Sequence, residues 1–293
     1  MVVRCFEISL VSSPSGSPLK GILNNMTAAI NAANLIGTHD VLFVTLDTLR
    51  YDVAARALAA GQTPNLQKIL PGGAWEQRHS PATFTYAAHQ AFFAGFLPTP
   101  LAPAGHERLF AARFAGSETT GPRTAVFDAP DIVTGLAGRG YHTVCIGGVG
   151  FFNKLTPLGS VLPGLFAESH WSPEMGVTGR RSTELQVRLA ERLLRERPGD
   201  GRVFLFVNVS ALHQPNCIFT PGAIQDTPQT QGAALAYVDS WMPVLFSAMR
   251  KRGPALAVIC SDHGTAYGED GYTGHRLAHP VVWNVPYCEC VME

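Results

Sequence analysis

The sequence predicts an α/β protein, a three-layer sandwich with a mainly parallel central sheet, and three features of its 293 residues carry that expectation. Four short runs are continuously apolar and rich in β-branched residues, the composition of strands buried on both faces. Stretches with one apolar stripe at helical spacing stand between them, and strands that alternate with helices pack as a mostly parallel sheet covered on both sides. One run ends abruptly at Asp47 and another is followed directly by Ser261-Asp262-His263, at the strand ends where ligand sites of such sheets lie.

In chain order, residues 1–38 show no strand periodicity, and Ser12-Ser13-Pro14-Ser15-Gly16-Ser17-Pro18 is a coil-forming run. They are expected to be an N-terminal extension, disordered in composition, before one catalytic domain over 39–293. The first strand is Val41-Leu42-Phe43-Val44-Thr45-Leu46, closed by Asp47. A Gly- and Pro-rich middle reads as long loops. The second strand covers 141–146. A helix over 180–197 carries Leu185, Leu189 and Leu193 among charges, and the third strand, 203–207, follows it. A second helix over 231–250 carries Leu235, Val238, Met242 and Leu245 and ends in Arg250-Lys251-Arg252. The fourth strand is 255–260. Phe92, Phe93 and Trp241 read as core packing, and Asp52 and Asp239 as local caps or pairs.

Composition excludes some functions. Lys plus Arg total 22 and Asp plus Glu total 22, so no basic field exists to follow a phosphate backbone, and nucleic acid is not expected as a partner. No apolar run reaches the roughly 18–20 residues that cross a bilayer, so no membrane partner is expected either. The six cysteines are scattered, and Cys288-x-Cys290 lacks the neighbours a structural zinc site needs. The expectation is a reduced, cytoplasmic chain.

Ser261-Asp262-His263-Gly264 follows the fourth strand directly, so a carboxylate and an imidazole emerge together at the sheet's carboxyl edge. Oxygen and nitrogen donors of this kind suit Zn²⁺ or Mn²⁺, and Asp47 at the end of another strand can add a second carboxylate to the same ion. The competing reading makes Asp262 a helix cap and His263 a loop residue.

These residues resemble the alkaline phosphatase and sulfatase superfamily. Val44-Thr45-Leu46-Asp47-Thr48-Leu49-Arg50-Tyr51-Asp52 followed by Thr63-Pro64-Asn65-Leu66 is similar to the start of sulfatase-like enzymes, and Asp262-His263-Gly264 to their late metal segment. The resemblance runs over about 41–287 and implies an alkaline-phosphatase-like core. In sulfatases the nucleophile opens a motif that closes ten positions later at a Gly, and counting back from Gly95 lands on Thr85. Thr83 is the alternative nucleophile, and an N-cap the alternative role for Thr85. The Cys or Ser, Pro and Arg of sulfatases are replaced by Thr85, Ala87 and His89, which disfavours sulfate ester hydrolysis and implies phosphoryl or phosphonate chemistry through a covalent intermediate on Thr85. Metal ligands are then Asp47, Thr85, Asp262 and His263.

The stretch from Thr265 to Gly274 before His275 looks like the corresponding stretch of bacterial phosphoethanolamine transferases, and Leu212-His213-Gln214-Pro215 is similar to the family's His-x-Pro element. The resemblance makes His213 and His275 catalytic, able to protonate a leaving group or bind a second ion, and puts His89, Arg276 and His279 at the substrate. Two-metal members carry an Asp where this chain has Asn208 or Val209, so one divalent ion is implied, with a second in doubt. The expected substrate is a small-molecule phosphate-type ester, hydrolysed or used as a group donor. The alternatives are a binding module that keeps the fold without catalysis, a sulfuric ester hydrolase, and a phosphosugar mutase that would need the missing Asp.

Overall fold

A computed structural model describes residues 30–95, 110–111, 125–126, 131–197 and 201–293. The centre is a seven-stranded sheet. Its strands are β1 (Asp40–Leu46), β2 (Glu76–His79), β3 (His142–Ile146), β4 (Glu168–His170), β5 (Val203–Val209), β6 (Ala255–Cys260) and β7 (Asn284–Met292). They lie in the order β2-β7-β6-β1-β5-β3-β4. The four runs read from the sequence form its parallel middle, β6-β1-β5-β3, with Val41 opposite both Phe204 and Leu256. β4 extends the parallel part, whereas β7 pairs antiparallel with β6 and β2. The sheet is thus mixed but mostly parallel.

Alternation along β5 shows how one strand serves two cores. Val203, Leu205 and Val207 face helices α1 (Tyr51–Ala59), α3 (Ser182–Arg195) and α4 (Pro228–Arg250). Phe204 and Phe206 face the other layer, with Phe93 of helix α2 (Thr85–Ala94), Phe152 and Phe166. The expected three-layer α/β sandwich is therefore present. Phe93 is core as read; Phe92 and Trp241 are half-buried, Trp241 lying under the Arg188 guanidinium.

Asp52 pairs locally with Arg50 and Arg56, as read. The local reading of Asp239 is corrected. From the middle of α4 this buried carboxylate accepts the Asn65 and Leu66 amides at 3.2 and 2.7 Å, capping the short helix Pro64–Gln67 across the fold. Residues 1–29 of the expected N-terminal extension, and most of the Gly- and Pro-rich middle, lie outside the described residues. Residues 30–38 lead into β1, and the Gly37 amide donates to the Tyr141 hydroxyl at 2.8 Å.

Candidate active site

Two parallel strands deliver the acids. β1 ends at Asp47 and β6 is followed by Asp262 and His263, and all three are fully buried at the carboxyl edge of the sheet. One donor atom from each lies within 4.8 Å of the others. Asp262 Oδ1 accepts the Thr48 and His263 amides at 3.2 and 3.0 Å, which leaves Oδ2 buried with no hydrogen-bond partner. Asp47 Oδ2 accepts the Asn208 side-chain amide at 3.1 Å, and its Oδ1 is likewise buried and unpartnered. Buried carboxylate oxygens left open in this way carry a desolvation cost that a cation relieves.

The electrostatics agree. Burial, reinforced by the neighbouring Asp262 charge, pushes the Asp47 carboxyl up to about 6. Burial pushes Asp262 up to about 7 against the hydrogen bonds it accepts. His263 Nδ1 lies 2.8 Å from the Gly264 carbonyl, which can only accept, so Nδ1 carries the hydrogen. Burial holds this imidazole's pKa below its ordinary value, so it is neutral with Nε2 free to ligate. Two carboxylates and one neutral imidazole fit a divalent ion such as Zn²⁺ or Mn²⁺.

Thr85 sits against this cluster. It is the first residue of α2, whose N-cap is Phe84, so the N-cap reading does not hold. Its hydroxyl lies 3.4 Å from Asp47 Oδ2 and 3.2 Å from His263 Nε2. Gly95 closes the same helix in the left-handed conformation, φ 75°, which a side chain would strain. The two ends of the motif are the two ends of one helix. The helix start adds positive potential where a hydroxyl oxygen would gain charge.

His213 and His275 join the cluster. The His275 ring centre is 4.6 Å from that of His263 and 5.7 Å from that of His213. His213 Nδ1 donates to the Gln214 carbonyl at 2.6 Å, the same anchoring as in His263. His275 Nδ1 is buried without a partner, and burial lowers its pKa to about 3. Arg276, at φ 72°, donates its amide to the Thr83 carbonyl and lays its guanidinium on the Phe84 ring, 5.4 Å from the ring centre. Its charge reaches His263 and His275.

Two residues expected at the substrate are placed elsewhere. His89 has no exposed surface. Its ring lies among Phe92, Phe93, Phe152 and Phe206, and burial lowers its pKa to about 3. Nδ1 donates to the Thr85 carbonyl at 2.7 Å, so the neutral Nε2 accepts from the Thr45 hydroxyl at 3.0 Å. His89 therefore supports Thr85 from beneath. A ligand cannot reach it through the aromatic rings that enclose it. His279 caps the short helix Pro280–Trp283 and pairs with Asp270 at 3.1 Å, so its two nitrogens serve a loop.

Sequence reading missed the residues that hold the ligands. Asn208 stands where a second-metal acid was sought, and its amide group ties Asp47, Thr45 and the Val149 amide together. Gln186 of α3 in turn donates to the Asn208 carbonyl at 2.7 Å. A polar residue inside the apolar run of β5 was the available signal. Thr48 has φ 62°, rare for a β-branched residue, and this turn aims its amide at Asp262. Arg50, 4% exposed, links Asp52 to Glu269, with Tyr267 alongside, and so fastens the β1–α1 loop to the loop that carries His275.

Fold and site together define an α/β protein with an Asp/His cluster and an adjacent hydroxyl at the carboxyl edge of its sheet. Neither protein-family models nor curated proteins match the sequence. Among solved structures, the soluble domain of lipooligosaccharide phosphoethanolamine transferase A from Neisseria meningitidis aligns over 87% of this chain and 78% of its own. Identity is 16% and the TM-score 0.59. The C-terminal periplasmic domain of EcEptC from Escherichia coli, in complex with Zn, aligns over 88% and 74% at 12% identity with a TM-score of 0.58. A protein in the alkaline phosphatase superfamily from Vibrio parahaemolyticus aligns over 86% and 60% at 17% identity with a TM-score of 0.51. The chain shares its fold with these structures, the alkaline-phosphatase-like core that its motifs implied.

The cytoplasmic expectation is corrected, because the similar structures include periplasmic domains. The inference from cysteine spacing fails for a physical reason. Cys145, Cys260 and Cys288 are buried in the central sheet as small apolar side chains, and thiols used for packing carry no record of compartment. Among the described residues no helix is long and apolar enough to cross a membrane.

Proposed function

We propose that this chain is a metal-dependent enzyme that transfers a phosphate-type group from an ester to Thr85, forming a covalent intermediate. The observation that carries the reading is the Thr85 hydroxyl, buried between Asp47 Oδ2 and His263 Nε2 beside two unpartnered carboxylate oxygens. Asp47, Asp262 and His263, with Thr85, are the residues that would hold a divalent ion, which supplies a Lewis acid that lowers a hydroxyl's pKa and neutralises charge on phosphoryl oxygens.

The chain's own groups do the rest. Thr85 Oγ1 gives its proton toward Asp47 Oδ2, the nearest carboxylate oxygen at 3.4 Å, and forms a bond to phosphorus as the bond to the leaving oxygen breaks. His213, with Nδ1 committed to the Gln214 carbonyl, offers Nε2–H to that leaving oxygen when protonated. His275 stays neutral and with Arg276 flanks the transferred group. Water or an acceptor hydroxyl then attacks phosphorus and gives its proton to His213 Nε2, the Thr85 ester bond breaks, and the proton held by Asp47 returns to Thr85 Oγ1. Asn208 stands where a second acid would be needed, which supports one ion rather than two. The substrate class supported is a small phosphate-type ester.

The test uses the full chain loaded with Zn²⁺ or Mn²⁺ and p-nitrophenyl phosphate mono- and diesters. Thr85→Ala is expected to lower turnover by at least about a thousandfold. Its folding should be unchanged and Asp47, Asp262 and His263 should still hold the ion at saturating metal, read by elemental analysis, and peptide mass spectrometry of the parent should place a phosphoryl adduct on Thr85. Turnover that survives Thr85→Ala sinks the reading.

A further inference from the structure

A cavity of about 740 Å³ opens between the edge strand β4 and helix α3, and none of the Asp/His cluster lines it. Its rim carries Lys154, Arg188 and Arg192 against one acid, Glu174, while Leu189 and Trp171 line its apolar part. Arg188 and Arg192 are exposed one helical turn apart on α3. Arg188 shares Glu184 with Arg181, so one carboxylate answers two guanidinium groups there. Arg192 has no ion pair among the described residues. Arg192 is thus the rim cation most open to a ligand, since Arg188 is held by Glu184 and lies over the Trp241 ring.

The walls are built rather than incidental. The Trp171 indole N–H donates to the Gly148 carbonyl at 3.1 Å, which fixes the ring, and among the described residues no other aromatic ring stacks on it. A Cβ at Gly148 would stand 2.3 Å from the Asn208 carbonyl, so the chain that holds the indole is pressed against β5. Lys154, at φ 58°, is tethered to the Ser169 carbonyl and hydroxyl at 2.7 and 3.2 Å. A fixed indole beside the Arg192 guanidinium and a tethered ammonium matches a sugar ring that carries an anionic group: the ring packs on the indole, and Arg192, with Lys154 nearby, takes the anion.

We propose that this groove is a second binding site, separate from the Thr85 centre, for an acidic glycan, a saccharide bearing phosphate, sulfate or carboxylate groups. The test is a tryptophan-fluorescence titration of the full chain with a heparin oligosaccharide at low ionic strength. A saturable change is expected that disappears in Trp171→Phe, weakens about tenfold in Arg192→Ala, and fades with added salt. Thr85→Ala should titrate like the parent, so failure of the proposed reaction leaves this result standing. No saturable change, or the same affinity in Arg192→Ala, overturns the site. Equal binding of an uncharged maltooligosaccharide refutes the role of charge, and equal binding of inorganic polyphosphate refutes the role of the sugar.

Discussion

At the scale of single residues, the site depends on side chains that never meet a ligand. Asn208 gives Asp47 its orientation, and through Thr45 and His89 the same network reaches the Thr85 carbonyl. Asn208→Ala leaves Asp47 Oδ2 and the Val149 amide each one partner short. A loss of about 1–3 kcal/mol in urea unfolding is expected. Metal affinity, measured by competition with a chromogenic chelator, should weaken about 10–100-fold, the usual cost of removing a group that orients a ligand. Asp262→Asn should abolish metal binding outright, and full occupancy by elemental analysis in that variant refutes the ligand assignment.

At the scale of elements, the loop from Gly264 to Arg276 decides whether the histidines converge. Its entry is tight. A Cβ at Gly264 would stand 2.0 Å from the Val281 carbonyl and 3.2 Å from the Arg50 side chain. Gly264→Ala must therefore displace backbone beside His263, with an expected cost of about 1–3 kcal/mol, read as a lower thermal midpoint, together with weaker metal binding. Further along, Glu269 accepts from both Arg50 and the Tyr267 amide. Glu269→Gln keeps the size but removes the charge that holds Arg50. Turnover is expected to fall while metal content stays at the parent level, since none of the ligands is touched.

For the whole molecule, buried acids and buried histidines contribute to the pH dependence of stability with opposite signs. The ordinary carboxyl value is 3.8, and in the folded metal-free chain Asp47 and Asp262 stand near 6 and 7. Between these limits the two carboxyls hold more protons folded than unfolded, so their contribution to stability falls as pH rises from about 4 to about 7. His89, His263 and His275, whose pKa values burial lowers from the ordinary 6.5, contribute in the opposite sense at acid pH. A bound cation opposes that loss, because it takes the proton's place on the ionised acids. Scanning calorimetry should show the increment in thermal midpoint from added Zn²⁺ growing between pH 5 and pH 8. Asp47→Asn should raise the metal-free midpoint at pH 8 and remove the increment. A metal increment that is flat across this range would exclude these carboxylates as the binding groups.

Much of the architecture is determined by local pattern. The apolar runs of β1, β3, β5 and β6 can only be buried strands, and the striped helices between them require a covered, mainly parallel sheet. Asp47, Asp262 and His263 could be located because strand ends are legible and a parallel sheet gathers its carboxyl ends on one edge. Thr85 came from motif spacing, which survives in the structure as the two ends of α2. Only the tertiary structure decided how these residues are held. Asn208 and Asp47 are 161 positions apart, His89 meets Thr45 across 44, and Asp239 caps a helix 174 positions away. No local periodicity encodes such contacts. The fate of His89 was settled by the aromatic cage that closes around it, and that of His279 by a helix start that needed a cap. A one-dimensional pattern fixes which face of an element is buried, while the partner that each buried polar atom finds depends on which elements the fold brings together.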